Sequence, residues 1–97
     1  MIVRIVKMTF AEDKVGDFLD NFQRNKESIR HFEGCMKLEL LQEKGKSNVY
    51  FTYSWWEGES YLEKYRHSDL FKGVWKTTKS FFSAKPEAWS LIRKVDI

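Results

Sequence analysis

The eight residues "VYFTYSWW", Val49–Trp56, have no polar side. Successive side chains of a strand point to opposite faces of its sheet. Val49, Phe51, Tyr53 and Trp55 therefore share one face, and Tyr50, Thr52, Ser54 and Trp56 share the other. An antiparallel sheet with one side in water shows apolar residues on one face and polar residues on the other. This segment does not alternate in that way. Neither does the opening "MIVRIVKMTF", where Val3 and Ile5 oppose Ile2, Val6 and Met8. A sheet built from these strands must be covered on both faces, or it would expose a large apolar patch.

The rest of the chain supplies cover for one face only. Ile2–Phe10 is rich in β-branched residues and reads as a strand. From Ala11 the period changes to three and four, through Val15, Phe18, Leu19, Phe22, Ile29 and Phe32, which predicts a helix over Glu12–His31. Asp13 and Asp17 suit its positive end, and Gly34 follows its last turn. "CMKLELLQE" (Cys35–Glu43) and Val49–Trp56 form a hairpin around the turn "KGKSN". Ser60, with Glu63 three residues on, reads as the N-cap of a short helix carrying Tyr61, Leu62 and Tyr65. "HSDLF" interrupts it. Ser68 reads as the cap of a further helix bearing Phe71, Val74, Trp75, Thr78 and Phe82, and Pro86 closes that region. "AWSLIRKVDI", Ala88–Ile97, is the last strand. The order β-α-β-β-α-β makes the fold class α+β: a ferredoxin-like antiparallel sheet with both helices on one face.

Two coverings suit the bare face. One is a second copy of the sheet, in a symmetric dimer. The other is single-stranded RNA stacked on exposed rings. The RNA-recognition pattern on the third strand needs glycines and a ring that "KSNVYFTY" lacks; only Lys46, Tyr50 and Tyr53 match. Lys plus Arg number 17 against 14 acidic residues, a net charge of +3, and the basic residues are dispersed. The residues favour a homodimer and no nucleic-acid partner. No apolar run approaches the roughly 20 residues that span a bilayer, so no membrane partner is expected. Cys35 is the only cysteine, which fits a reducing, cytoplasmic setting and a structural thiol. Ninety-seven residues are expected to form one domain.

Several segments resemble the antibiotic biosynthesis monooxygenase (ABM) family of dimeric α+β barrels. "MIVRIVKMTF" is similar to its first strand, "FEGCMKLELL" to its helix-end-to-strand segment, and "TYSWWEGESYLEKYRHSDLF" to its Trp-Glu-Ser-x-x-x-Leu segment followed by Ser-x-x-Phe. The resemblance covers essentially the whole chain. It implies a dimer through the sheet, with one pocket per subunit between helices and sheet. It also implies oxidation of a phenolic or quinol-like small molecule by dioxygen, with no metal or flavin. Trp56 matches the family's Trp at the end of the third strand, and Phe71 matches its Phe in the helix insertion. Tyr65 falls where many members carry a histidine, and Ser54 replaces a frequent Glu. A haem-degrading branch has an axial histidine where this chain has Trp75 and an asparagine where it has Val6, so the resemblance does not extend to haem. By the same resemblance the Trp56 face looks inward and the Tyr53 face looks toward the partner.

The residues themselves suggest a ring-lined chamber. Tyr53, Trp55, Tyr65, Phe71 and Trp75 bring apolar area and a few O–H and N–H groups that need partners, which suits a small-molecule pocket. With the Trp56 face inward, as the resemblance implies, the expected pocket residues are Ser54, Trp56, Phe71, Trp75 and Phe22. His67, in the break between helices, is the candidate proton acceptor near neutral pH, with Tyr65 and Arg66 as donors. His31 reads as a helix-end cation. His31, Cys35 and His67 have no recognisable metal-ligand spacing, so no metal is expected. A non-catalytic dimeric binding module of the same fold is the alternative.

Overall fold

The structure is a computed structural model that describes all residues from Met1 to Ile97. Its elements are β1 (Ile2–Thr9), a 3-10 turn (Glu12–Lys14), α1 (Val15–Arg30), β2 (Cys35–Gln42), β3 (Val49–Trp56), α2 (Glu59–Arg66), α3 (Asp69–Lys79) and β4 (Glu87–Ile92). The four strands form one antiparallel sheet in the order β2-β3-β1-β4. This is the expected ferredoxin-like α+β arrangement.

Register confirms the division of faces. Arg4 pairs with Ser54 and Ser90, and Val6 with Thr52 and Ala88, on the helix-covered face. On the other face Val3 stands between Trp55 and Leu91, and Ile5 between Tyr53 and Trp89. A bulge between Cys35 and Lys37 absorbs Met36, which restores the parity of Leu38 and Leu40.

Four boundaries differ from expectation. The first helix opens with a 3-10 turn, and the α-helix begins at Val15. α2 begins before Ser60, because the extended Gly58 is its N-cap and its carbonyl accepts from the Tyr61 and Leu62 amides. Ser60 therefore lies inside the first turn. α3 ends at Lys79, so Phe82 lies beyond it and bridges to Phe10. β4 stops at Ile92 because its partner β1 runs out at Ile2. Ser68 does cap α3: its Oγ accepts from the Phe71 amide at 3.1 Å.

The helix-covered face holds two buried clusters rather than one. Met8, Phe10, Phe18 and Tyr50 form the first, and Cys35, Trp56 and Leu62 form the second. Asn21 and Thr78, both buried, tie α1 to α3 through an amide–hydroxyl bond of 3.4 Å. The opposite face carries no helix. On it Trp89, Leu91 and Leu41 remain 42%, 47% and 47% exposed.

Gly34 joins α1 to β2 at φ 86°, in the left-handed region that glycine enters without a Cβ clash. A Cβ there would clash with Cβ and the ring of Tyr61. Gly45, at the tip of the hairpin, has φ 84° but open space around it. Gly34→Ala is expected to cost the backbone penalty of roughly 1–3 kcal/mol plus displacement of Tyr61. Gly45→Ala should cost the backbone term alone. Urea midpoints separate the two, and equal losses would contradict the packing of Tyr61 on Gly34.

Candidate functional site

Between the two clusters the sheet and helices enclose a cavity of about 330 Å³. β1 contributes Arg4, Val6 and Met8, and β3 contributes Thr52, Ser54 and Trp56, all from the inner face. α1 contributes Phe18, Phe22 and Ile29. α2 gives Leu62, Tyr65 and Arg66, and α3 gives Phe71, Val74, Trp75 and Thr78. Ser54, Trp56, Leu62 and Thr78 are buried at the inside, while Arg66, Glu87 and Ala88 are exposed and mark the open side.

The wall is a continuous series of rings. Trp56 stacks on Tyr65 at 4.9 Å, Tyr65 meets Phe71 edge-on at 5.2 Å, and Phe71 stacks on Trp75 at 5.9 Å. Phe32 supports Tyr65 from behind at 5.3 Å. Such contacts hold ring orientation as well as burying area. The break between α2 and α3 makes this possible: the Ser68 cap turns the chain so that Tyr65 and Phe71 meet across it.

The polar groups divide into committed and uncommitted. Trp56 Nε1 donates to Ser54 Oγ at 3.0 Å, so the indole N–H is satisfied within the protein. Thr78 Oγ1 donates to the Val74 carbonyl. Tyr65 is engaged through its carbonyl, which accepts from Ser68 Oγ, and no protein side chain bonds its hydroxyl. Burial pushes the Tyr65 phenol well above its ordinary value, with the nearby Cys35 thiol acting in the same direction. Tyr65 is therefore a neutral O–H donor across the physiological range. Arg66 Nη1 donates to Glu63 Oε1 at 3.0 Å.

The Tyr65 shift has a measurable sign. Folded Tyr65 keeps its proton where the unfolded phenol, at about 10, loses it. Its effect on stability is thus absent at neutral pH and becomes destabilising as pH rises above about 10. Phenolate absorbance of the wild type minus that of Tyr65→Phe should show no ionisation of this group at about pH 11, one unit beyond the ordinary value. A full phenolate signal there would contradict its burial.

Of the eight residues singled out from sequence, Tyr65, Arg66, Ser54, Trp56, Phe71, Trp75 and Phe22 all line this cavity. His67 does not join them. Its side chain is 77% exposed, and its Nδ1 donates to the Glu63 carbonyl at 2.7 Å, capping the end of α2. His31 does the same at the end of α1, bonding the Glu27 carbonyl at 2.9 Å. Both histidines close helices, where a donor satisfies an open carbonyl. Tyr53 and Trp55 lie on the opposite sheet face and meet each other edge-on at 6.2 Å. Arg4 was not singled out, yet it sits on the inner face. Strand parity with Ile2, Val6 and Met8 was the available signal.

Comparison with curated proteins finds none that matches. Solved structures match in fold across nearly the whole chain. A conserved protein from Methanosarcina mazei Go1 superposes with a TM-score of 0.90 at 22% identity, covering 97% of this chain and 94% of that one. An antibiotic biosynthesis monooxygenase gives 0.90 at 11% identity, covering 96% and 98%. A mutant of SnoaB, a cofactor-independent oxygenase from Streptomyces nogalater, gives 0.84 at 15% identity, covering 99% and 95%. At these identities the likeness is one of fold. The sequence itself matches the family described as antibiotic biosynthesis monooxygenase over residues 1–76, so the chain belongs to the ABM family.

Proposed function

We propose that this chain is a cofactor-independent monooxygenase that oxidises a small phenolic or quinol-like substrate with dioxygen, acting as a homodimer. The observation that carries the reading is the cavity itself. Stacked rings form its wall, and an uncommitted Tyr65 hydroxyl and the Arg66 guanidinium supply donors to it. An aromatic substrate fits the wall, and its hydroxyl meets the donors.

The energetics are of the right size. Ionising a phenol of pKa ~10 at pH 7 costs about 4 kcal/mol. A hydrogen bond to a charged group contributes about 1.5–3 kcal/mol. Two such bonds, from Tyr65 and Arg66, match that cost and hold the substrate as phenolate. The ring carbon para to the oxygen then bonds to dioxygen, giving a peroxide anion. That anion takes up a proton, and the hydroperoxide loses water and leaves a quinone. The balance is phenol plus dioxygen to quinone plus water, with the substrate supplying all four electrons. Tyr65, which remains protonated, donates a hydrogen bond to the charge as it moves onto the peroxide. The reaction needs no other electron source.

The uncovered sheet face supports the homodimer. Trp55 stands there between Lys37 Nζ at 4.6 Å and the Arg93 guanidinium at 4.9 Å, its Nε1 buried without an acceptor. A face-to-face copy would cover this surface and offer acceptors.

The placement of His67 outside the cavity favours one second reading, a binding module that holds an aromatic ligand without turning it over. Aerobic and anaerobic incubation of metal-free protein with a panel of phenols and naphthols that carry hydrogen at the para carbon separates the two. Oxygen-dependent loss of substrate that falls at least tenfold in Tyr65→Phe or Arg66→Met supports catalysis. Binding without any oxygen-dependent turnover supports the module.

A further inference from the structure

We infer that the ligand of this cavity is an aromatic acid, its ring against Trp56, Tyr65 and Phe71 and its carboxylate on Arg4. The inference rests on the cavity being the substrate site and adds the chemical class of what enters it.

The argument begins with strand parity. Arg4 stands on the inner face of a central strand, with Ile2 and Val6 as its neighbours on that face. Its cross-strand partners are Ser54 on β3 and Ser90 on β4, both neutral. A cation placed there without an opposing carboxylate is costly, because a partly desolvated charge needs a counter-charge. Its one hydrogen bond is from Nη1 to Ser90 Oγ at 2.9 Å. A guanidinium carries five N–H donors, so most of its capacity remains open.

The carboxylates nearby are committed. Glu63 accepts from Arg66 at 3.0 Å. Glu87 lines the cavity, but its carboxylate lies 3.8 Å from Lys7 Nζ, on the outward-facing side chain of β1. Burial lowers the Arg4 pKa, and the charge of Arg66 adds to that, more than Glu63 offsets. An anion arriving from outside supplies a counter-charge to Arg4 and takes its open donors. A carboxylate does so best, since it takes two parallel N–H donors from one guanidinium. The rings beyond Arg4 fix the remainder of the ligand as flat and apolar. The cavity volume, about 330 Å³, keeps it small.

The test compares acids with their neutral amides. Hydroxybenzoates and hydroxynaphthoates are titrated against the matching carboxamides by calorimetry under anaerobic conditions, so that binding is read without turnover. Wild-type protein should bind the acids at least tenfold more tightly, and the margin should shrink in high salt. Arg4→Met should abolish the preference, and Arg4→Lys should retain part of it. Equal binding of acids and amides by wild type overturns the inference, as does a preference that survives Arg4→Met. Circular dichroism confirms that each variant is folded, and should Arg4→Met not fold, Arg4→Lys and the wild-type comparison decide. The two readings fail separately. Acid preference without oxygen consumption sinks the oxygenase and keeps the aromatic acid. Turnover of neutral phenols with no acid preference does the reverse.

Discussion

Trp56→Ala should cost about 3–5 kcal/mol of folding stability, the range for truncating a fully buried large aromatic. Trp56 is 1% exposed and is one of the two largest fully buried side chains. Three contacts end together on truncation: the stack on Tyr65, the edge contact with Phe32, and the hydrogen bond to Ser54. The void would open onto a cavity that already separates the two buried clusters, so neighbouring side chains have little to collapse against. For a domain of marginal stability, 5–15 kcal/mol, this loss approaches unfolding. Trp56→Phe keeps a ring against Tyr65 and should lose less. Urea denaturation followed by circular dichroism gives both values. A Trp56→Ala loss below about 1 kcal/mol would show that the cavity wall is not the second core.

Ile5→Glu should weaken self-association at least a hundredfold, equivalent to about 2.8 kcal/mol at about 1.4 kcal/mol per tenfold. Ile5 occupies the centre of the uncovered face, between Tyr53 and Trp89. In a twofold interface every substitution is made twice, and two carboxylates would be desolvated near each other. The chain's own buried clusters lie on the opposite face, so the monomer should stay folded. Sedimentation velocity over a micromolar concentration series reads the effect. A wild type that stays monomeric at the highest concentration would remove the proposed dimer.

The two-sided character of the sheet was legible because strand parity is rigid. A period of two leaves no freedom in which face Tyr53 and Trp56 occupy, and the observed register agrees. The helical period placed Phe22, Phe71 and Trp75 on faces that meet the sheet, and all three line the cavity. The missed features share a physical cause: they depend on backbone partners or on distant strands. A serine followed by a glutamate resembles a capping box, but the Gly58 carbonyl opens α2 first. His67 in a helix break suggests proton transfer, yet a nearby open carbonyl claims its ring nitrogen. Arg4 reads in isolation as a charge that interrupts an apolar run. Only the pairing with Ser54 and Ser90 shows it facing inward between two neutral cross-strand partners. The end of β4 is set by where β1 begins, a partner more than 80 residues away, as the Arg4–Ser90 separation of 86 shows.

The four tryptophans sit two to a face: Trp56 and Trp75 on the cavity, Trp55 and Trp89 on the uncovered side. Their indole N–H signals, assigned by single Trp→Phe substitutions, therefore report the two surfaces independently. Titrating the protein with a hydroxynaphthoate should shift the Trp56 and Trp75 signals and leave those of Trp55 and Trp89 in place, whereas dilution should move only the latter pair. Shifts confined to Trp55 and Trp89 on adding ligand would contradict a binding chamber between helices and sheet.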